Sequence, residues 1–231
     1  MKKNIVLLIL LLSFKIGTSQ NLRKDSILKR TNPKFLNLKK TQIFIDTTRS
    51  SEFYLRIKNW KKSKYDMEDI GNYLKRLDKN FNNINIELKD FPKNFVMLRK
   101  LNGKFILYDR CDGIDLRFEL TKNNFFIYGV WESEVHTISK VVELKKHSLN
   151  LELNSIKSRT EFQKSFLELK RIENSIFEIN FKNEHTKLNL YLTSLDKISE
   201  FDLVVNHCLE MKIFEYQYFD EMKKTKKIEI E

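Results

Sequence analysis

The chain has 231 residues, with 43 Lys and Arg against 31 Asp and Glu, a formal net charge of +12 and 5 glycines. It contains no Gly-rich phosphate loop, no Gly-x-Ser-x-Gly elbow, no His-Glu-x-x-His motif and no Cys-x-x-Cys pair, which argues against several large enzyme families. The basic residues are spread along the chain and form no single stripe. We therefore attribute the charge to general surface composition and expect no nucleic-acid partner, leaving an anionic surface as the alternative.

Residues 1–19 have the three-part pattern of a cleavable signal peptide. Lys2 and Lys3 precede an apolar run, Ile5 to Leu12, and small residues end the segment at Ser19. A retained membrane anchor is the alternative, but it needs about 20 apolar residues, and this run is too short. The pattern predicts export to the periplasm or the medium and no transmembrane span in the mature chain.

The mature chain is interpreted as one domain with polar ends. Residues 20–40 form a basic leader, residues 41–221 a single β-rich domain, and residues 222–231 a basic, frayed tail. At the start of the domain, Gln42 to Asp46 and Glu52 to Trp60 have the composition of short strands, and a polar turn-like cluster separates them.

Residues 64–81 carry the strongest helical pattern in the chain. Apolar residues recur there at three- and four-residue spacings, and Ser63 followed by Asp66 resembles a capping signal. Gly71 inside the pattern costs about 1 kcal/mol relative to alanine. The spacing predicts one amphipathic helix that precedes the main sheet.

After Pro92 the pattern changes to strands that alternate apolar and polar residues. Turn signals such as Asn102-Gly103 and Asp112-Gly113 recur about every ten residues. Strict alternation indicates one buried face and one wet face, as in residues 114–121. The fold class predicted is mainly β, an antiparallel meander of eight to ten strands forming a barrel or a strongly curved sheet. Residues 160–172 and 195–209 fit either a strand or a helix.

The two cysteines, Cys111 and Cys208, leave two alternatives open. In an oxidising compartment they can form one disulfide that closes a loop of about 97 residues and stabilises the fold by up to ~4 to 5 kcal/mol. They can equally be two separate buried thiols.

Glu132, Glu134 and His136 are the candidate metal site. Residues two apart on a strand share a face, so two carboxylates and an imidazole could converge on a divalent cation or act in acid–base chemistry. The alternative is a solvated hairpin edge, where charged residues are common. No cofactor is predicted.

Three function classes follow from these patterns. The first is an exported, non-catalytic binding protein that holds a small apolar ligand inside a barrel, since barrels of about eight strands can enclose one. The second is an envelope-associated module that binds a protein partner. The third is a metal-dependent hydrolase built on Glu132, Glu134 and His136. The sequence does not specify the oligomeric state.

Overall fold

The computed structural model describes residues 28–39, 42–111, 113, 115–129, 133–158, 160–208, 215–216 and 218–220. Two α-helices lie in this part of the chain, α1 (Glu52–Lys58) and α2 (Lys64–Asn80), with two short 3-10 helices at Pro33–Phe35 and Leu195–Glu200. The strands there are β1 (Arg30–Thr31), β2 (Gln42–Asp46), β3 (Asn94–Leu101), β4 (Lys104–Asp109), β5 (Arg117–Leu120), β6 (Asn124–Tyr128), β7 (Ser133–Lys145), β8 (Ser148–Ile156), β9 (Phe162–Glu173), β10 (Ile176–Lys182), β11 (Lys187–Ser194) and β12 (Leu203–His207).

Eight of these strands close into an antiparallel barrel, which confirms the predicted fold class. The strands β5 to β11 pair in sequence order, as in a meander. The first half of β3 closes the ring, because it pairs with β11 on one side and with β5 on the other. Closure leaves these strands without free edges, so their backbone groups find partners within the ring.

A four-strand extension leaves the barrel at β3. Residues 99–101 of β3 pair with β4 after a turn at Asn102 and Gly103, which both have the positive φ that a type I′ hairpin requires. Beyond β4 the sheet continues through β12, β2 and β1. The strands β4 and β5 therefore share β3 as a neighbour but separate from each other. Simple hairpin spacing did not indicate this fork.

Apolar side chains fill the inside of the barrel, as the alternating pattern predicted. Eighteen buried residues form one cluster there, with Leu149, Leu151 and Leu153 on β8 each at most 1% exposed. The rings of Phe125 on β6 and Phe181 on β10 lie 6.1 Å apart between centroids. These strands are four places apart around an eight-stranded ring, so the two rings meet across the lumen. Where these two rings meet, side chains fill the lumen of the barrel.

The predicted helix is α2, and its ends match the local signals. The Ser63 hydroxyl accepts a hydrogen bond from the Asp66 amide at 3.0 Å, and the Asp66 carboxylate accepts one from the Ser63 amide at 2.9 Å. This is a capping box. The helix buries Ile70 and Leu77 against the outer face of β6 and β7, so it shields part of the barrel from solvent.

The strand predicted for Glu52 to Trp60 is wrong, because residues 52–58 form α1. Ser51 caps this helix by accepting from the Phe53 amide at 3.2 Å. Phe53, Tyr54 and Ile57 then share one helical face and pack on the core of the extension. The aromatic composition that suggested a strand serves tertiary packing of a helix instead.

The two ambiguous segments take different structures. Residues 162–173 form β9 of the barrel, and residues 195–207 contain a 3-10 helix followed by β12. Within the segment predicted as a basic leader, Arg30–Thr31 pairs in parallel with β2. The predicted signal peptide and the basic tail lie outside the described residues. In the described part of the chain, no helix combines the length and the apolar character that crossing a bilayer requires.

Candidate functional site

A cleft of about 300 Å³ opens on the outer face of the barrel, at the fork where β4 and β5 separate. It lies between α1, the end of β4 and the loop that leads into β5. We call it the arginine cleft. Its charged lining residues are Arg56, Arg110, Arg117, Asp109 and Asp115, and its apolar lining residues are Ile57, Trp60, Val96, Met97, Leu107 and Leu116.

Arg117 is the central residue of this cleft. It is the first residue of β5 and is 8% exposed. Its guanidinium carbon lies 4.9 Å from the centre of the Trp60 ring, a cation–π contact. Among the described residues no hydrogen bond or ion pair reaches this guanidinium. With no acceptor among the described residues, this guanidinium can donate to an anion that enters the cleft.

Burial dominates the electrostatics of Arg117. Desolvation lowers its pKa to about 10, although the nearby charges of Asp109 and Asp115 act in the opposite direction. The two carboxylates therefore compensate only part of the cost of burying the guanidinium. The group stays protonated near neutral pH.

Other arginines already bind the two carboxylates of the cleft. Arg99 donates to both oxygens of Asp115, at 2.6 and 2.8 Å, in a bidentate pair. Arg56 on α1 forms an ion pair with Asp109. Burial raises the pKa of Asp109 to about 6, and Arg56 is the largest opposing influence. Each aspartate thus already has an arginine partner other than Arg117.

Arg110 is only partly neutralised. Its Nε atom lies 3.6 Å from an oxygen of Glu215, within ion-pair range. That Nε–H is buried, and it has no hydrogen-bond partner in the described part of the chain. Arg110 and Arg117 together give the cleft unused donor capacity for an anion.

A disulfide closes one side of the cleft. Cys111, a lining residue, is bonded to Cys208 just after β12, with the two Cα atoms 5.4 Å apart. The sequence left a disulfide and two free thiols open, and in the structure the pair is bonded. The bond ties the loop that follows Arg110 to the extension, so it restricts where Arg110 can move.

The predicted metal site is only partly within the described structure. Glu134 and His136 share the inner face of β7, and Glu134 Oε2 lies 3.5 Å from His136 Nε2. This contact lowers the pKa of the Glu134 carboxyl, against the opposing effect of burial. Glu132 lies outside the described residues. Within those that are described, no three His, Cys, Asp or Glu side chains group as metal ligands.

The imidazole of His136 is instead part of a buried polar chain. Its Nδ1 lies 2.7 Å from the Ser155 hydroxyl, which lies 2.6 Å from that of Ser165. A serine beside a histidine resembles a nucleophile with its base. However, Ser155 is 1% exposed and Ser165 is fully buried, so no substrate reaches either hydroxyl. These hydrogen bonds satisfy His136 Nδ1 and the two hydroxyls inside the core, while the buried His136 Nε2 has no hydrogen-bond partner among the described residues.

Sequence reasoning missed Arg117 as a candidate site residue. Alternation placed it, with Asp115 and Glu119, on the wet face of its strand. The direction was right, because Arg117 faces away from the lumen, but Trp60 and Lys62, in the connection between α1 and α2, contact Arg117 and Glu119 on that face. Both Arg117 and Glu119 are 8% exposed. No local sequence signal indicates that a distant segment covers this strand.

Comparison of the chain with protein-family models, with curated proteins and with solved structures finds no match in any of the three.

Proposed function

We propose that this protein is an exported, non-catalytic binding protein and that the arginine cleft binds the anionic group of its ligand. Export rests on the signal-peptide pattern of residues 1–19. One observation carries the binding site, namely that Arg117 is buried beneath Trp60 without a hydrogen-bond acceptor among the described residues. Proteins retain such costly groups at binding and catalytic sites, where a ligand completes the interaction.

The chemistry of the cleft favours binding over catalysis. Guanidinium groups remain protonated, so arginines bind and orient anions but do not serve as general bases. Arg99 donates to both oxygens of Asp115 and Arg56 to one oxygen of Asp109, so each carboxylate is held in an ion pair. The described lining residues include no histidine or serine that could act as base or nucleophile.

The packed lumen gives less support to an apolar ligand inside the barrel. Such a ligand would have to displace the contact between Phe125 and Phe181. That version of the binding hypothesis stays a prediction, as do the protein-interaction module and the metal-dependent hydrolase. The cleft differs from these alternatives because its lining includes donors that have no hydrogen-bond acceptor among the described residues.

The test is the variant Arg117→Met, which has a signature independent of the identity of the ligand. Replacing a buried charge whose desolvation is only partly compensated with an apolar side chain removes that desolvation cost. The lost contact with Trp60 offsets part of this gain. We expect the unfolding free energy of the ligand-free protein to rise by about 1 kcal/mol while stabilisation by added anions disappears.

Arg76→Met is the matched control. Arg76 also lies over an aromatic ring, that of Phe162 at 5.7 Å, but it donates a 2.8 Å hydrogen bond to the Ser158 carbonyl. It is expected to lower stability slightly and to leave anion binding unchanged. The measurement is urea unfolding, with thermal shifts in acetate, benzoate, phosphate and sulfate at constant ionic strength. A strongly destabilised Arg117→Met, with unchanged anion shifts, would mean that Arg117 is structural.

A further inference from the structure

We infer that the ligand of the arginine cleft is a small organic monocarboxylate with an apolar body. This inference rests on the proposed function, since it identifies the class of anion that binds to Arg117. It follows from the charges of the cleft, from the shape of the guanidinium group and from the apolar lining.

The charges of the cleft call for one negative charge. Asp115 is paired with Arg99, Asp109 with Arg56, and Arg110 with Glu215 across 3.6 Å. After these pairings, Arg117 remains as the cation without an ion-pair partner among the described residues. A ligand with one negative charge balances it.

A second negative charge on the ligand would be unfavourable. Asp109 and Asp115 both line the cleft, and both interact electrostatically with Arg117. A dianionic phosphate held there would be repelled by both carboxylates in a partly desolvated site. A carboxylate matches the planar fork of a guanidinium with two parallel hydrogen bonds and carries the single charge that is needed.

The rest of the ligand would lie against apolar side chains. Ile57, Val96, Leu107 and Leu116 line the cleft together with Trp60. Ile57, Val96 and Leu107 are almost fully buried, so Leu116 and Trp60 offer most of the apolar surface on which an alkyl or aryl body would be desolvated. A volume of about 300 Å³ is at the lower end of the range for ligand sites, which limits the body to a small one.

The experiment is isothermal titration calorimetry at pH 7 with three probes of one shape: benzoate, benzamide and phenyl phosphate. We expect saturable 1:1 binding of benzoate, with benzamide and phenyl phosphate at least tenfold weaker. Arg117→Met should abolish benzoate binding, and Arg76→Met should leave it unchanged. Arg117→Lys keeps the charge but not the fork, so it should weaken benzoate binding about tenfold. Circular dichroism and urea unfolding confirm that each variant is folded.

Asp109→Asn tests the role of the carboxylates. It removes one carboxylate from the wall of the cleft, so it should strengthen the binding of phenyl phosphate at least fivefold relative to that of benzoate. N-acetylphenylalanine compares a peptide-like carboxyl end with a free small acid. Binding tighter than that of benzoate would assign the carboxylate to a chain end, and weaker binding would assign it to a small free acid.

The outcomes separate this inference from the proposed function. Arg117-dependent binding of phenyl phosphate with no binding of benzoate overturns the carboxylate class and leaves an anion site in place. Equal binding of benzoate and benzamide overturns the role of the charge. Absence of binding for every anion, or binding that survives Arg117→Met in a folded protein, overturns the proposed function itself.

Discussion

The packing inside the barrel makes a strong prediction for Phe181→Ala. Phe181 is 1% exposed, and its ring centre lies 4.9 Å from that of His136 and 6.1 Å from that of Phe125. A buried aromatic side chain removes about 150 to 250 Å² from water, or ~4 to 6 kcal/mol at ~25 cal/mol per Å². Alanine keeps a small part of this, so we expect a loss of about 3 to 5 kcal/mol, within the usual range for buried aromatic truncations.

Urea unfolding with the disulfide intact measures this loss, and Phe166→Ala is the matched control. Phe166 lies on the neighbouring strand β9 and points outward, with 42% of its surface exposed. Its truncation should cost less than about 1 kcal/mol, because far less area returns to water. The cavity left by Phe181→Ala is largely apolar, so benzene should bind in it and restore part of the lost stability.

A small loss for Phe181→Ala would refute this reasoning. If the two variants lost similar amounts, below about 1.5 kcal/mol, the ring of Phe181 would not be packed across the lumen. The barrel would then have room for a ligand, and the hypothesis of an apolar molecule inside it would gain weight.

Three further predictions concern stability. Gly71 lies inside α2 with open space at its Cβ position, so Gly71→Ala should raise the unfolding free energy by about 0.5 to 1 kcal/mol. Gly103 has equal space but a φ of +77°, so Gly103→Ala should lower the unfolding free energy. An increase for both variants would contradict the role of φ. Burial raises the pKa of Asp109 to about 6. Between about pH 4 and 6 the folded state therefore binds more protons than the unfolded state, and the unfolding free energy falls as pH rises. Asp109→Asn should lose this pH-dependent part of the unfolding free energy, which is up to ~3 kcal/mol. Urea unfolding at pH 4.5 and 7 measures the difference. Reducing the disulfide releases a loop with a sequence separation of 97 residues and should lower the unfolding free energy by up to ~4 to 5 kcal/mol. Urea unfolding with and without dithiothreitol measures this loss. Identical unfolding curves would show that the disulfide does not stabilise the fold.

Much of the barrel could be predicted from the sequence, because the signals that specify a strand or a helix end are local. Alternation in β8 and β10 depends only on the pleat of the strand, so the inward positions of Leu149 and Phe177 followed directly. The capping box at Ser63 needs side chains only three residues apart, and α2 starts where that signal stands. Asn102-Gly103 likewise specified its own turn.

The candidate site could not be predicted in the same way, because it depends on which distant elements cover a surface. Alternation assigns Arg117 to the outer face of β5 but does not say whether that face meets water or another part of the chain. The fork at β3 and the packing of Trp60 on Arg117 both involve contacts between residues far apart in sequence. Residue period and capping chemistry thus determined the strands and the main helix from the sequence alone. Only the tertiary structure decided which outward-facing charged side chain is buried, because burial depends on which distant residues pack against it.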